Sequence, residues 1–548
     1  MSRAADAIFH NGRIYTVDAG RSWASAVAVA GGRILAVGDD GDILALRGPA
    51  TTVTDLRGRM MLPALGDIHN HHARGGELDL YELNFTTALD FDGILALVAE
   101  RAARVGPDAW ICGGIWSSAL GPRLADPASR AALDEAAGGR PVSLIDDSLH
   151  NRWVSSRALA LAGITRDTPD PKDGFIQRDG RGEPTGVLIE KAMALVTRAA
   201  AAAIKDPVAH LALCSRRAIA ILNGYGVTSF QDATSTLEMM QALHRLDAKG
   251  ELNARVVVSL PAYDTLNGTS LFGEALIARR EEFRTPRLRP DFVKFFNDGV
   301  PMTRTAAMFD AYRPAEDGSV TVCHPFLAQP DLVRWIRRAA RHGMGIKIHC
   351  AGDLAVHATL DAIEIVRDID GPGPMHQIAH PGYVRPDDIA RFARLNVLAD
   401  LCPALWMPST MIQAITDVVP AERARRYWPF RDMQDAGVLM AGGSDWPVLG
   451  LPDPWFGLHG MVTRSNPRAP ELGTFWPEQA LDLATALEVY TINVARGMGV
   501  AAETGSIEPG KSADLIVLDR NLFDIPAAEI ARTRVLQTWF EGRLVHEA

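Results

Sequence analysis

The sequence predicts an α/β protein: a (β/α)8 TIM-like barrel with a small β-sandwich formed by both termini and a cap insertion after the first barrel strand. Three observations predict it. Eight short apolar runs alternate with helix-like segments, and histidine, lysine and aspartate fall at the C-terminal ends of several of them. The two ends of the chain share a texture of short β-branched runs broken by glycine turns. Val/Ile/Leu-rich runs alternating with helices are the pattern of a parallel sheet buried on both faces, and eight of them close a barrel.

Residues 1–60 contain "AIFHNGRIYTV", "AVAVAGGRILAVG" and "TTVTDLRGRMMLP", and residues 503–548 contain "GSIEPGKSADLIVLD" and "RVLQTWFEGRLVHEA". Such runs with tight turns read as small antiparallel sheets. Neither end is long enough to bury both faces of a sheet alone, so the two are expected to pair into one sandwich domain. The barrel is expected over 61–80 and 200–502, with strands at "MLPALGDIH", "GVTSFQD", "ARVVVSL", "DFVKFF", "GIKIH", "HQIAH", "NVLADL" and "VLMAGGSD". Residues 81–199 interrupt the alternation. An insertion of that size leaving the catalytic face predicts a cap over the pocket.

Composition excludes several classes of function. The 548 residues are 47% hydrophobic and 22% charged, an ordinary globular balance. Fifty-six Lys and Arg against 66 Asp and Glu give a net charge of -10, with no basic run, so nucleic acid is not an expected partner. Five scattered cysteines, never in a C-x-x-C pair, suggest neither a disulfide framework nor a cysteine zinc knuckle, and fit a reducing cytoplasm. The first residues lack an apolar core of a signal, and no run of about 18 uncharged apolar residues predicts a membrane span. The expected location is cytoplasmic.

The chemistry is carried by residues at strand ends. In "DIHNHH", His69 and His71 lie two apart, so on a strand their rings share a side and can bind one metal ion. His72 points to the opposite face. An isolated H-x-H is more often structural, but four later strand ends change the reading. Lys294 in "DFVKFFNDGV" ends an apolar run, where an ammonium needs an acidic partner such as Asp298 or a lowered pKa. A neutral buried lysine can add carbon dioxide to form a carbamate whose two oxygens bridge divalent cations. His349 ends "GIKIH", His380 ends "HQIAH", and Asp445 follows a Gly-Gly-Ser turn. A carboxylate there can hold a metal through one oxygen and take a proton through the other.

This ordered set resembles the amidohydrolase superfamily, and "GGIW", "RPVSLIDDSLHNRWVSSRALALAGI", "GEPTGVLIE", "KFFNDGV", "HCAGDLAV" and "GSDWPV" look like the YtcJ-like metal-dependent hydrolases (amidohydrolase family 3). The resemblance covers nearly the whole chain. It implies that His69 and His71 hold one metal, that His349 and His380 hold a second, that Lys294 bridges them as a carbamate, and that Asp445 completes the first site and serves as the catalytic proton acceptor. Two Zn2+ per chain are the leading cofactors. Mn2+ or Fe2+ suits the same ligands, and a single-metal version stays open. The implied activity is hydrolysis of a C–N bond in an amide, N-formyl, carbamate or cyclic amide substrate by metal-activated hydroxide. Ester or lactone hydrolysis on the same site, or a non-hydrolytic decarboxylase or isomerase, remains as an alternative, and a non-catalytic binding protein is a third class. The expected partner is a small-molecule substrate, and family habit implies a homodimer. The chain departs from the family pattern at Ala379, Leu354 and Ser155, where a glutamate, an arginine and an asparagine are usual, which bears on what fits the site.

Substrate contacts are expected from His150 and Trp153 in "DSLHNRWVSS", Trp116 in "GGIW", Trp446 beside Asp445, and Arg304 in "VPMTRTAAM"; Arg464 in "MVTRSNP" is a further carboxylate receptor. Packing or a surface ion pair is the competing reading for each tryptophan and arginine. Cys323 and His324 read as structural.

Overall fold

Eight parallel strands run in chain order around one sheet: Leu65–Asn70, Val227–Asp232, Arg255–Pro261, Leu288–Phe296, Gly345–His349, His376–Ala379, Val397–Leu401 and Met440–Gly442. They coincide with the eight apolar runs. The computed structural model describes residues 4–147, 150–172, 174–263, 271–315, 318–405, 407–448 and 450–548. Every residue of the third strand, Arg255–Pro261, is buried, because a parallel sheet has helices outside and side chains inside. The last strand returns to the first through backbone bonds beyond its end. The Asp445 N–H donates to the His69 carbonyl at 2.7 Å, and the His71 N–H donates to the Trp446 carbonyl at 2.8 Å. The seam of the barrel therefore runs through the expected metal residues.

The chain forms two compact units, Met1–His72 with Ala218–Ala548, and Ala73–Arg217. Within the first, the termini build two further sheets. One has the order Arg33–Gly38, Ala26–Ala30, Ala5–His10, Arg47–Asp55. The other runs Arg543–Glu547, Val535–Phe540, Leu515–Leu518, Met60–Pro63, Arg13–Tyr15, Trp23–Ala24, so three strands from the C-terminal end and three from the N-terminal end join in a single sheet where Leu515–Leu518 pairs with Met60–Pro63. Phe9, Val27 and Val29 of the first sheet share a core with Met61, Leu515 and Val517 of the second, which makes a sandwich. Arg255, at the foot of the third barrel strand, reaches the buried Asp514 at 2.9 Å and ties barrel to sandwich.

The second unit holds a six-stranded sheet in the order Gly174–Arg178, Pro184–Glu190, Asn151–Val154, Val142–Asp146, Ile111–Trp116, Glu82–Leu83. Its helix Phe91–Arg104 starts where Asp90 accepts a bond from the Gly93 N–H at 2.9 Å. Phe91, Ile94 and Val98 then pack with Ile111, Val142 and Leu144 of the sheet. No helix of the described residues is long and apolar enough to cross a membrane.

Candidate metal centre

The alternation of the first strand aims Asp67, His69 and His71 to one side. Asp67 sits beneath the histidines and accepts from Ser444 Oγ at 2.6 Å, the Ser444 N–H at 3.1 Å and the His69 N–H at 3.0 Å. It thus straps the turn that carries Asp445 onto the first strand. Burial raises its carboxyl to about 6 despite these bonds. Gly443 makes the approach possible: a Cβ there would lie 2.8 Å from both the Cβ and the backbone nitrogen of His69. Two residues of the site adopt left-handed backbone, His380 with φ 62° and Asp445 with φ 51°. Such strain is held only where the surroundings impose it.

At the mouth of the barrel, Asp445 Oδ1 lies 3.7 Å from His69 Nε2 and 3.5 Å from His71 Nε2. Donors about 2.0–2.1 Å from a tetrahedral zinc are about 3.4 Å apart, so these three side chains fit a divalent cation without rearrangement. The His380 ring centroid is 4.6 Å from that of His69 and 4.9 Å from that of His349. The structure therefore gathers all four strand-end histidines. His380 Nδ1 is buried and has no hydrogen-bond partner among the described residues, an orphaned donor set that a cation would satisfy. His349 donates its Nε2–H to the Gly299 carbonyl at 3.0 Å, which leaves Nδ1 with the lone pair.

Electrostatics favour neutral imidazoles and an ionised carboxylate. Burial, with Lys294 and Lys347 nearby, holds His69 well below its ordinary value; burial and Lys294 push His349 down to about 4. Burial alone would raise Asp445, but its bond with His71 and the proximity of His380, His71 and Lys294 outweigh that and lower it. Lys294 is 1% exposed, and burial together with Lys347 lowers its amine to about 8. Its Nζ lies 4.9 Å from the Phe296 ring centroid, and among the described residues no carboxylate reaches ion-pair distance. Asp298 is occupied otherwise, accepting from the backbone of Ala307, Ala351 and Gly352 at 2.8–3.0 Å. The salt-bridge reading of Lys294 is not what the structure contains.

Sequence reasoning missed two residues inside the barrel. Asp400, on the seventh strand, accepts the Nδ1–H of His69 at 2.6 Å and pairs with the Lys347 ammonium at 2.5 Å; Lys347 also donates to the Ile68 carbonyl at 3.0 Å. All three side chains are buried. The Asp400 bond fixes the tautomer of His69 and turns Nε2 toward Asp445, the usual task of a carboxylate behind a ligating histidine. The available signal was a charge inside each of two apolar runs, "NVLADL" and "GIKIH".

Several expected substrate contacts are corrected. Trp116 and Trp153 are wholly buried in the hydrophobic core of the 73–217 unit, where Trp153 lies 5.7 Å from Phe91 and the Trp116 indole donates to the Leu144 carbonyl at 3.0 Å. Their rings fill a core and present no surface to a substrate. Arg464 is also fully buried: its guanidinium donates to the Phe475, Trp428 and Tyr427 carbonyls, so it organises backbone rather than receiving a carboxylate. Trp446 is 3% exposed, and the bond from its N–H to Ser444 Oγ holds the turn beside Asp445. His150 is exposed and pairs with Glu190 at 3.0 Å. Arg304 is half-buried on the loop after the Lys294 strand, with its own carbonyl accepting from the Cys323 thiol. His72 turns from the mouth to Asp232 at 2.5 Å.

Imidazoles and a carboxylate gathered at the C-terminal mouth of a parallel barrel define a class, the barrel hydrolases that work with a bound cation. The chain belongs to the Amidohydrolase family, whose model matches residues 52–546. It is 30% identical over 555 residues to the N-substituted formamide deformylase of Arthrobacter pascens, covering 100% of this chain and 99% of that protein. It is 28% identical over 556 residues to YtcJ of Bacillus subtilis (strain 168), covering 99% of each, which puts it with the YtcJ-like amidohydrolases. Among solved structures, an uncharacterized metal-dependent hydrolase from Pyrococcus furiosus shares the fold, with a TM-score of 0.74 and 24% identity over 94% of this chain and 99% of that one. The chain is accordingly a hydrolase acting on carbon–nitrogen bonds other than peptide bonds.

Proposed function

We propose that the substrate is an N-acyl amine, with an N-formyl amine the first choice, and that hydrolysis depends on zinc held by His69, His71 and Asp445. The observation that carries this reading is the placement of Asp445 Oδ1 at 3.7 and 3.5 Å from the two histidine nitrogens. The full-length likeness to a formamide deformylase supports the choice of acyl group. His349 and His380 would hold a second cation, with Lys294 as the bridging carbamate; its lowered amine favours the neutral form that reacts with carbon dioxide.

When bound, the cations supply Lewis acidity that polarises the carbonyl and makes water acidic. The chain's own residues do the rest. Asp445 is the general base: its free oxygen accepts a proton from the attacking water as the new C–O bond forms, then returns it to the amine nitrogen as the C–N bond breaks. Asp400 keeps the His69 ring from turning while charge develops.

The test is metal content by elemental mass spectrometry together with product analysis on a panel of N-substituted formamides, acetamides, carbamates and cyclic amides. Formate and amine released in equal amounts, with metal lost in His71→Ala, is the expected result. A metal-loaded protein that leaves every amide intact but opens esters or lactones overturns the substrate class.

A further inference from the structure

We propose that Cys402 is itself a metal ligand, its thiolate joining His380 as a sulfur donor at the barrel mouth. The inference rests on the metal-dependent reading above and adds a donor that the imidazole, carboxylate and lysine set does not include.

Cys402 directly follows the seventh strand, two residues after Asp400, so strand alternation turns both side chains to the barrel interior. Its Sγ and one ring nitrogen each of His69 and His380 lie within 4.8 Å of one another. The thiol is fully buried and among the described residues makes no hydrogen bond. Cys214, Cys323 and Cys350 instead engage His210, the Arg304 carbonyl and Thr359. The second observation is at the end of the neighbouring sixth strand: His380 Nδ1 is buried with no hydrogen-bond partner among the described residues. A buried thiol beside an imidazole that keeps one nitrogen unpartnered is a donor set that a soft cation satisfies.

His69 limits how the donors divide. Its Nδ1–H is given to Asp400, so Nε2 is its single lone pair and serves one cation only. The groups His69, His71, Asp445 and His69, His380, Cys402 therefore either share that cation, or leave His380 and Cys402 to a second one. In both cases the sulfur is bound. Coordination breaks the S–H bond, forms a metal–sulfur bond and releases the proton to solvent. A thiolate selects zinc over manganese or magnesium.

X-ray absorption at the zinc edge of the full zinc-loaded chain reads this directly, without turnover. The expected spectrum has a sulfur shell at about 2.3 Å beside nitrogen and oxygen at about 2.0–2.1 Å. The sulfur shell disappears in Cys402→Ser. The wild-type spectrum decides the matter even if that variant fails to fold. Bound zinc with light-atom neighbours alone overturns the inference and leaves the hydrolase reading intact. A sulfur shell that persists in Cys402→Ser also overturns it. A protein that takes up no zinc refutes the metal-dependent reading and this inference with it.

Discussion

Asp445 and Lys347 separate chemistry from scaffolding. Asp445→Asn keeps the shape and removes the proposed base, so kcat for the best amide is expected to fall by about 10^2–10^4 with KM little changed, as steady-state kinetics will show. Lys347→Met leaves the Asp400 carboxylate buried without its cation. Removing one partner of a buried pair typically destabilises by about 3–5 kcal/mol, measurable by urea unfolding, and adding Asp400→Asn should recover part of the loss. These two residues also mark what the sequence concealed. His69, His71, Lys294, His349, His380 and Asp445 could be picked out as candidates because each is a polar side chain close to the C-terminal end of an apolar run. The Lys347–Asp400 pair joins the fifth strand to the seventh across the interior, a distance along the chain that no local pattern encodes. Trp116 and Trp153 were illegible for the opposite reason: an indole that packs and an indole that greets a ligand look alike in sequence.

The strand-to-loop junctions are the elements that hold the site, and the last is the tightest. Gly443→Ala would drive a methyl into the backbone of His69, so the turn must move away and take Asp445 with it. Elemental analysis should find metal well below the wild-type content in that variant, whereas Gly437→Ala, where a Cβ meets nothing, should retain it, although its positive φ lowers stability by about 1 kcal/mol. Strand positions were legible because all eight barrel runs are rich in apolar residues and alternate with helix-like segments. The six-stranded sheet of the 73–217 unit was not, since its strands change from parallel to antiparallel pairing between Ile111–Trp116 and Asn151–Val154 and follow no repeating strand–helix alternation.

At the scale of the molecule, the cation and the fold are thermodynamically linked. A ligand that binds only the folded chain stabilises it by about 2.7 kcal/mol at 100 times its Kd, so zinc added to chelator-stripped protein should raise the thermal midpoint, and it should do so far less for His71→Ala. Burial links the termini to the barrel in the same way. Asp514→Ala takes the closest carboxylate from buried Arg255 and is expected to destabilise by about 3–5 kcal/mol in denaturant titration. The pairing of the two chain ends was legible from their shared texture, but the junction was not, because it depends on Met60–Pro63 lying between Leu515–Leu518 and Arg13–Tyr15.

The seam that joins His69 and His71 to Asp445 and Trp446 sets an order of events at the ribosome. The histidine pair is made early, while its carboxylate partner arrives some 370 residues later, about 20–75 s at ordinary rates of synthesis. A nascent chain released before that point carries imidazoles but no complete pocket. On the proposed assignment, a cation that needs both histidines and Asp445 is loaded only after Asp445 has been made.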